Sequence, residues 1–330
     1  MADGGMLNMS TNQLRYWLYA ATPIHVGAGR GVDVIDLPIV RERTTSWPII
    51  PGSSVKGVIS NHFFPEKESR ETDSLGKAAF GKAGDTASNA GALAFTDARI
   101  VCLPVRSFFG TFAWVTCPFC LNRLHLAENF EELLPEHAVV TSSDSALIAP
   151  EDAISFPETG GDPFSVGRRI DQTSKGEEQT PRKNVFLDEI GLSAVRTVEQ
   201  AKKAGEIAEI IAKNVFAGDD YWSTQFKKRF IIIDNESFTF LCEFGTEVTP
   251  RIRITDKGIV DKGALWYEES LPAESILCGT VWCDTPTVEG VTQKQLIDKF
   301  CSKPLKDLQF GGKSSIGKGL TQVTFSSKDK

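Results

Sequence analysis

A strand that runs into glycines at alternate positions constrains this chain more than any other feature. Arg15 to Ala21 reads as an aromatic-rich strand, followed by Thr22-Pro23-Ile24-His25-Val26-Gly27-Ala28-Gly29-Arg30-Gly31 and then Val34-Ile35-Asp36-Leu37-Pro38-Ile39. Gly27, Gly29 and Gly31 remove side chains from the backbone and permit positive φ, so amide groups can converge on an anion. The turn sets one carboxylate, Asp36, and one imidazole, His25, beside those amides, a geometry that suits a phosphodiester. The spacing is not Gly-x-Gly-x-x-Gly and no helix is expected directly after it, so a dinucleotide site fits poorly.

A second glycine turn closes the chain: Leu308-Gln309-Phe310-Gly311-Gly312-Lys313-Ser314-Ser315-Ile316-Gly317-Lys318-Gly319-Leu320. Amides, hydroxyls and ammonium groups in one loop make a grip for a phosphate backbone without base readout. The Walker register fails, because Gly319 stands where a hydroxyl should follow Lys318. ATP binding is therefore disfavoured.

Composition allows such a role without demanding it. The 330 residues carry a net charge of −7, but Lys294 to Lys330 holds eight lysines against three acids, and Glu128 to Glu136 holds four acids and no base. Such segregation permits a basic groove on an acidic body and equally two solvated surfaces. With 41% hydrophobic residues the chain can bury a sizeable core. No apolar run reaches the roughly 18 residues of a membrane span, and the start lacks a signal core, so a cytoplasmic protein is expected. Seven cysteines, an odd number between Cys102 and Cys301, fit reduced thiols.

The organisation expected is α+β, because strands outnumber helices and do not alternate strictly with them. Val55 to Phe64 reads as a helix capped by Ser53 or Ser54. Ala92 to Val105 reads as a strand or hairpin arm, and Thr111 to Leu126 as a helix. Strands are expected at Arg229 to Ile233, Glu247 to Ile254, Ala264 to Glu269, Ile276 to Asp284 and Gly319 to Phe325, with a helix at Thr292 to Cys301. Val198 to Val215 is a strongly amphipathic helix. Glu151 to Pro181, rich in Pro, Gly and acids, reads as a projecting loop or hairpin.

Taken together, Thr22 to Gly29, Ile35 to Glu42, Ile50-Pro51-Gly52-Ser53-Ser54-Val55-Lys56-Gly57 and the closing Gly-Gly-Lys-x3-Gly-Lys-Gly loop resemble the RAMP superfamily of CRISPR effector proteins. More narrowly they resemble the repeated backbone subunit of the type III-B (Cmr) complex. Phe112 to Thr116 and Gly263 to Glu269 also look like segments of that subunit. The match covers about half the chain, in order, and its specificity lies in the joint occurrence of the motifs.

The resemblance implies a modified RNA-recognition-motif (ferredoxin-like) core with a projecting β-hairpin thumb and helical insertions. It implies a flexible tail at 1–13 and a single domain at 14–330, with core 14–150 and 229–330 and an inserted region at about 151–228. Asp162 to Val195 is the thumb candidate. The partners implied are a guide CRISPR RNA, a single-stranded target RNA, further copies of the chain and other RAMP-type subunits. Lys56, Arg41, Gly311, Gly312, Lys313, Gly317, Lys318 and Gly319 become RNA-binding residues. Asp36 becomes the catalytic residue of an endoribonuclease dependent on Mg2+ or Mn2+, with Asp36 at the metal.

The chemistry is reasonable from first principles, since a 2′-hydroxyl in line with its own phosphorus needs only positioning, proton transfer and a cation. His25 is a candidate general acid or base and equally a phosphate or structural contact. Glu268 or Glu269 could add a carboxylate, but neighbours on a strand face opposite ways, so at most one does. An Asp before Leu37-Pro38 also commonly caps its own turn, and Asp33 is the nearest competitor. A silent RNA-holding scaffold and a metal-independent guide-processing endonuclease are the rival readings. Cys117-Pro118-Phe119-Cys120 is half a zinc motif, but His125 and His137 miss the usual spacing, so buried thiols are expected rather than zinc.

Overall fold

The computed structural model describes residues 13–29, 35–82, 90–124, 146–157, 183–194, 198–256 and 258–327. In chain order the elements are β1 (Gln13–Ala20), β2 (Ile49–Ile50), α1 (Gly52–Phe63), α2 (Lys67–Thr72), α3 (Ser74–Phe80), β3 (Leu93–Phe95) and β4 (Ala98–Arg106). Next come β5 (Phe112–Thr116), α4 (Pro118–Arg123), β6 (Ala146–Ile148), β7 (Phe156–Pro157), β8 (Lys183–Leu187), β9 (Ile190–Ala194), α5 (Val198–Val215) and α6 (Asp220–Arg229). The chain continues with β10 (Phe230–Ile233), α7 (Asn235–Phe244), β11 (Glu247–Ile254), β12 (Val260–Ser270), β13 (Ile276–Cys283), α8 (Gln293–Phe300), β14 (Leu305–Gln309) and β15 (Leu320–Ser327). The chain divides into two compact units, Met1–Val101 with Cys242–Lys330, and Cys102–Leu241. The expected tail at 1–13 lies outside the described residues except for Gln13, which already belongs to β1.

The sheet of the first unit runs β14-β15-β1-β13-β4, with β2 on β4 and β3 on β13. β1 sits between two antiparallel partners, Trp17 facing Cys278 of β13 and Thr324 of β15. Both edges of β1 are thus paired and its middle is buried on both faces, which explains the unbroken buried run Arg15 to Leu18. Helices α1, α3 and α8 join through Phe63, Phe64, Phe80 and Phe300, whose ring centroids lie 4.9 to 6.3 Å apart. As expected, α8 begins at Thr292, which forms a reciprocal capping box with Gln295.

The start of α1 differs from expectation. Neither Ser53 nor Ser54 caps it; Pro51 occupies the N-cap with φ −55°, and Gly52 donates its N–H to Asp97 Oδ1 at 2.8 Å. A distant carboxylate does what a local serine was expected to do. Glycine is required at 52 because a Cβ there would stand 2.2 Å from the Phe95 carbonyl oxygen.

In the same unit β11 and β12 form a two-stranded sheet of their own, in register from Glu247 and Ser270 to Ile252 and Leu265, with a shift in register before Ile254 meets Val260. Ile252, Ile254, Ile259, Val260 and Leu265 are exposed on this hairpin.

The sheet of the second unit runs β4-β5-β10-β6, β10 parallel to β5 and antiparallel to β6. The helix expected at Thr111 to Leu126 is instead strand β5 followed by the short α4. Phe112, Trp114, Val115 and Thr116 favour a pleated surface, and Trp114, fully buried, lies opposite Pro104 and Phe230. Pro118 then starts α4 at its first turn. Helix α5 spans the expected residues and buries Ala201, Ala204, Ile207, Ala208 and Ile211. Of the thumb candidate Asp162 to Val195, only 183–194 is described. It forms the tight hairpin β8–β9 with Val185, Leu187, Leu192 and Ala194 buried. Among the described residues no helix is long and apolar enough to cross a membrane.

Candidate active site and nucleic-acid interface

Four consecutive residues near the end of β12 organise the site. Leu37 runs parallel beside Glu268: the Leu37 N–H donates to the Tyr267 carbonyl at 3.1 Å, and the Glu269 N–H to the Leu37 carbonyl at 3.0 Å. This bridge fixes Asp36, whose Oδ2 accepts the Tyr267 backbone N–H at 2.8 Å. Asp36 is exposed, and its Oδ1 has no hydrogen-bond partner among the described residues. The carboxylate is thus held by one oxygen and open at the other. Gly31 and Asp33 lie outside the described residues.

Glu268 and Glu269 point to opposite faces, as alternation requires, and both are buried. Glu269 Oε2 accepts the Ile39 N–H at 2.9 Å; Oε1 accepts Thr246 Oγ1 at 2.8 Å and pairs with Arg41. Arg41 also donates to the carbonyls of Ser46 at 2.7 Å and Cys242 at 2.9 Å. Its guanidinium ties the Asp36 segment to Glu269.

Glu268 Oε1 accepts Lys313 Nζ at 2.7 Å and Trp266 Nε1 at 2.9 Å, and Oε2 accepts Arg251 Nε at 3.3 Å. Burial pushes this carboxyl up, but the bonds from Lys313 and Trp266 and the charges of Lys313 and Arg251 outweigh it, leaving a pKa of about 2. It is ionised at any working pH. Enclosed by these partners, Glu268 is the counter-ion of Lys313 and Arg251.

His25, also buried, lies with Nδ1 2.6 Å from the Glu269 carbonyl oxygen; since a carbonyl only accepts, Nδ1 is assigned as the donor. A Cβ at Gly27 would stand 3.2 Å from Nε2, so the backbone covers the ring's other side. The His25 carbonyl accepts the Gly312 N–H at 2.9 Å. His25 therefore joins β12 to the closing loop.

The closing loop needs its glycines. Gly311, Gly317 and Gly319 have φ of +72°, +79° and +89°, and Lys313 is also left-handed at +69°. A Cβ at Gly311 would meet the His25 oxygen at 2.2 Å, and one at Gly319 the Phe310 oxygen at 2.1 Å. The two lysines turn inward: Lys313 to Glu268, and buried Lys318 to Ser270 Oγ at 2.6 Å. Burial pushes the Lys318 ammonium down, and Arg251 adds to this, against the pull of Glu268 and Glu247. Gly311, Gly312, Ser314, Ser315 and Gly317 are left exposed on the loop surface.

Lys56 lies half-buried on α1, away from these carboxylates. Burial lowers its pKa, and the Arg70 charge lowers it further. It makes no ion pair among the described residues. The Arg251 and Trp266 contacts were missed in the sequence, although Trp266 and Glu268 stand two apart on a strand and so share a face.

Among the described residues no three His, Cys, Asp or Glu side chains gather as a metal cluster. Among the described residues the Asp36 carboxylate has one oxygen without a partner, which would suit a hard cation that keeps most of its waters and shares a substrate phosphate rather than a closed protein cage. Cys117 and Cys120 are buried at the start of α4 and not joined in a disulfide, and His125 and His137 lie outside the described residues. Burial raises Cys278 to about 12 and Cys283 to about 11, values of unreactive thiols.

The family model of the RAMP superfamily matches residues 17–322. The chain belongs to the RAMP superfamily. One RAMP relative, the CRISPR system Cmr endoribonuclease Cmr4 of Pyrococcus furiosus, is 33% identical over 315 residues, 93% of each chain. The fold agrees with a crystal structure of oligomeric Cmr4 from Pyrococcus furiosus at TM-score 0.64 and 24% identity, covering 97% of this chain and 100% of that one. A chain from a cryo-EM structure of the type III-B Cmr-beta bound to cognate target RNA agrees at TM-score 0.66 and 18% identity, covering 96% and 98%. Within the RAMP fold, the motifs that suggested the family form the Asp36 turn, the start of α1 and the closing loop.

Proposed function

We propose that this chain is the backbone subunit of a type III-B CRISPR RNA-guided effector complex, and that it is an endoribonuclease cutting paired target RNA at Asp36. The observation that carries this is the Asp36 carboxylate, anchored at Oδ2 by Tyr267 and open at Oδ1, in a chain 33% identical to a Cmr endoribonuclease. Guide RNA phosphates lie on the exposed glycine loop at 311–319 and beside Lys56 on α1, where the helix N-terminus also favours an anion. Further copies of the chain and other RAMP-type subunits extend the assembly along the guide. Seven buried cysteines without a disulfide among them support a reducing, cytoplasmic setting.

The projecting hairpin in this reading is β11–β12, supported by its separate two-stranded pairing and its exposed Ile252, Ile254 and Ile259. It displaces a target nucleotide from the duplex and so frees the sugar to adopt in-line geometry. The 2′-oxygen then attacks its own phosphorus, the bond to the 5′-oxygen breaks, and the products carry a 2′,3′-cyclic phosphate and a 5′-hydroxyl. Asp36 Oδ1 accepts the 2′-hydroxyl proton, and the leaving oxygen takes one from solvent. Asp36 would be the residue that holds Mg2+ or Mn2+, and the cation would supply positive charge against the phosphate.

The test is cleavage of labelled target RNA by the guide-loaded complex, carrying wild-type chain or Asp36→Ala, with Mg2+ present and then chelated. Cutting by the wild type alone, lost on chelation, is expected. Equal cutting by both, or binding without cutting by either, would leave a scaffold.

A further inference from the structure

We propose that Trp266 is a stacking platform for the unpaired nucleobase beside the scissile phosphate, with Arg251 completing a nucleotide-sized site on the same face of the β11–β12 hairpin. Arg251 and Trp266 are direct cross-strand partners, so their side chains leave the hairpin on one face. Glu268, two residues on, shares that face and binds both: its Oε1 accepts the Trp266 indole N–H at 2.9 Å and its Oε2 the Arg251 Nε at 3.3 Å. One buried carboxylate thereby fixes the indole and the guanidinium together.

What this arrangement leaves available defines the ligand. The only polar atom of the Trp266 side chain is committed inward, so the accessible part of this half-buried residue is ring surface. Arg251 commits Nε, and its two terminal nitrogens have no partner among the described residues, on a side chain 34% exposed. A π surface beside a guanidinium fits a base and its phosphate, and stacking of this kind tolerates any of the four bases. The site also lies one residue from the catalytic anchor, since the Tyr267 N–H holds Asp36. A base seated on Trp266 therefore positions its own sugar and phosphate with respect to Asp36. The inference rests on the RNA-cutting reading above and adds a residue that acts on the displaced nucleotide.

The test is a double-substitution cycle in the guide-loaded complex. Target RNAs carry a single abasic nucleotide at each position flanking the cut, and the chain is wild type, Trp266→Ala or Trp266→Phe. With intact target, Trp266→Ala is expected to slow cleavage about ten-fold or more, the scale of one base–aromatic stack. Trp266→Phe, which keeps a ring but loses the bond to Glu268, stays within a few-fold of wild type. At one flanking position the abasic target costs the wild type the same factor and costs Trp266→Ala nothing further. Losses that multiply at every position, or a Trp266→Ala complex as fast as wild type, overturn the inference while Asp36-dependent cutting by the wild type preserves the functional reading. A wild-type complex that neither binds nor cuts target overturns both.

Discussion

Asp36 and Tyr267 stand 231 residues apart and meet in one hydrogen bond, the Tyr267 backbone N–H donating to Asp36 Oδ2 at 2.8 Å. The donor is a main-chain group, so no substitution at Tyr267 other than proline removes it. Asp36→Asn keeps an oxygen for this bond but removes the charge. It is expected to leave Tm within about 1 °C and to reduce cleavage at least ~100-fold, the lower range for loss of a proton-transfer group. Calorimetry beside a cleavage assay checks the pair of outcomes.

Glu268 ties Lys313 and Arg251 to β12, and Glu268→Gln is expected to destabilise the chain by about 1–3 kcal/mol. The pH dependence has a definite sign. The folded-state pKa of about 2 lies below the ordinary value of 4.5, so the stabilisation is full above pH 4.5 and fades as pH falls towards 2. Urea unfolding at pH 7 and pH 3 should show the gap between wild type and Glu268→Gln narrowing in acid. A gap independent of pH contradicts the ion-pair account.

The closing loop separates glycines that are needed from one that is not. Gly311→Ala and Gly319→Ala each meet a carbonyl oxygen near 2 Å at positive φ, and should lose roughly 1–3 kcal/mol or more. Gly312 faces open space at an ordinary φ, and Gly312→Ala should stay within about 0.5 kcal/mol. Thermal denaturation of the three variants ranks them.

Lys56→Ala should weaken guide binding and reduce the salt dependence of the binding constant by about one phosphate contact. With no ion pair among the described residues to lose, its Tm should hold. Titrations of guide RNA at several salt concentrations measure the slope.

Much of the fold was legible because it is local. The α5 stripe of Ala201, Ala204, Ile207, Ala208 and Ile211 and the Thr292 cap of α8 follow from spacing alone. Phe112 to Thr116 was misread as helix because a short apolar run fits both periods, and its pairing with β4 and β10 decides between them. The cap of α1 lay 45 residues away at Asp97. In the site, the inward turn of Lys313 and Lys318 was not legible, because their partners Glu268 and Ser270 lie 45 and 48 residues distant. Arg41 reads as a free cation in sequence and becomes an internal tie only once Glu269 is beside it.

The central claim is transesterification directed by Asp36, and the most direct measurement is the chemistry of the product ends. Target RNA cut by the wild-type guide-loaded complex should end in 2′,3′-cyclic phosphate and 5′-hydroxyl at regular intervals, with no such products from Asp36→Asn at equal target binding. Products bearing 5′-phosphate, or the same cyclic ends from Asp36→Asn at the wild-type rate, would contradict it.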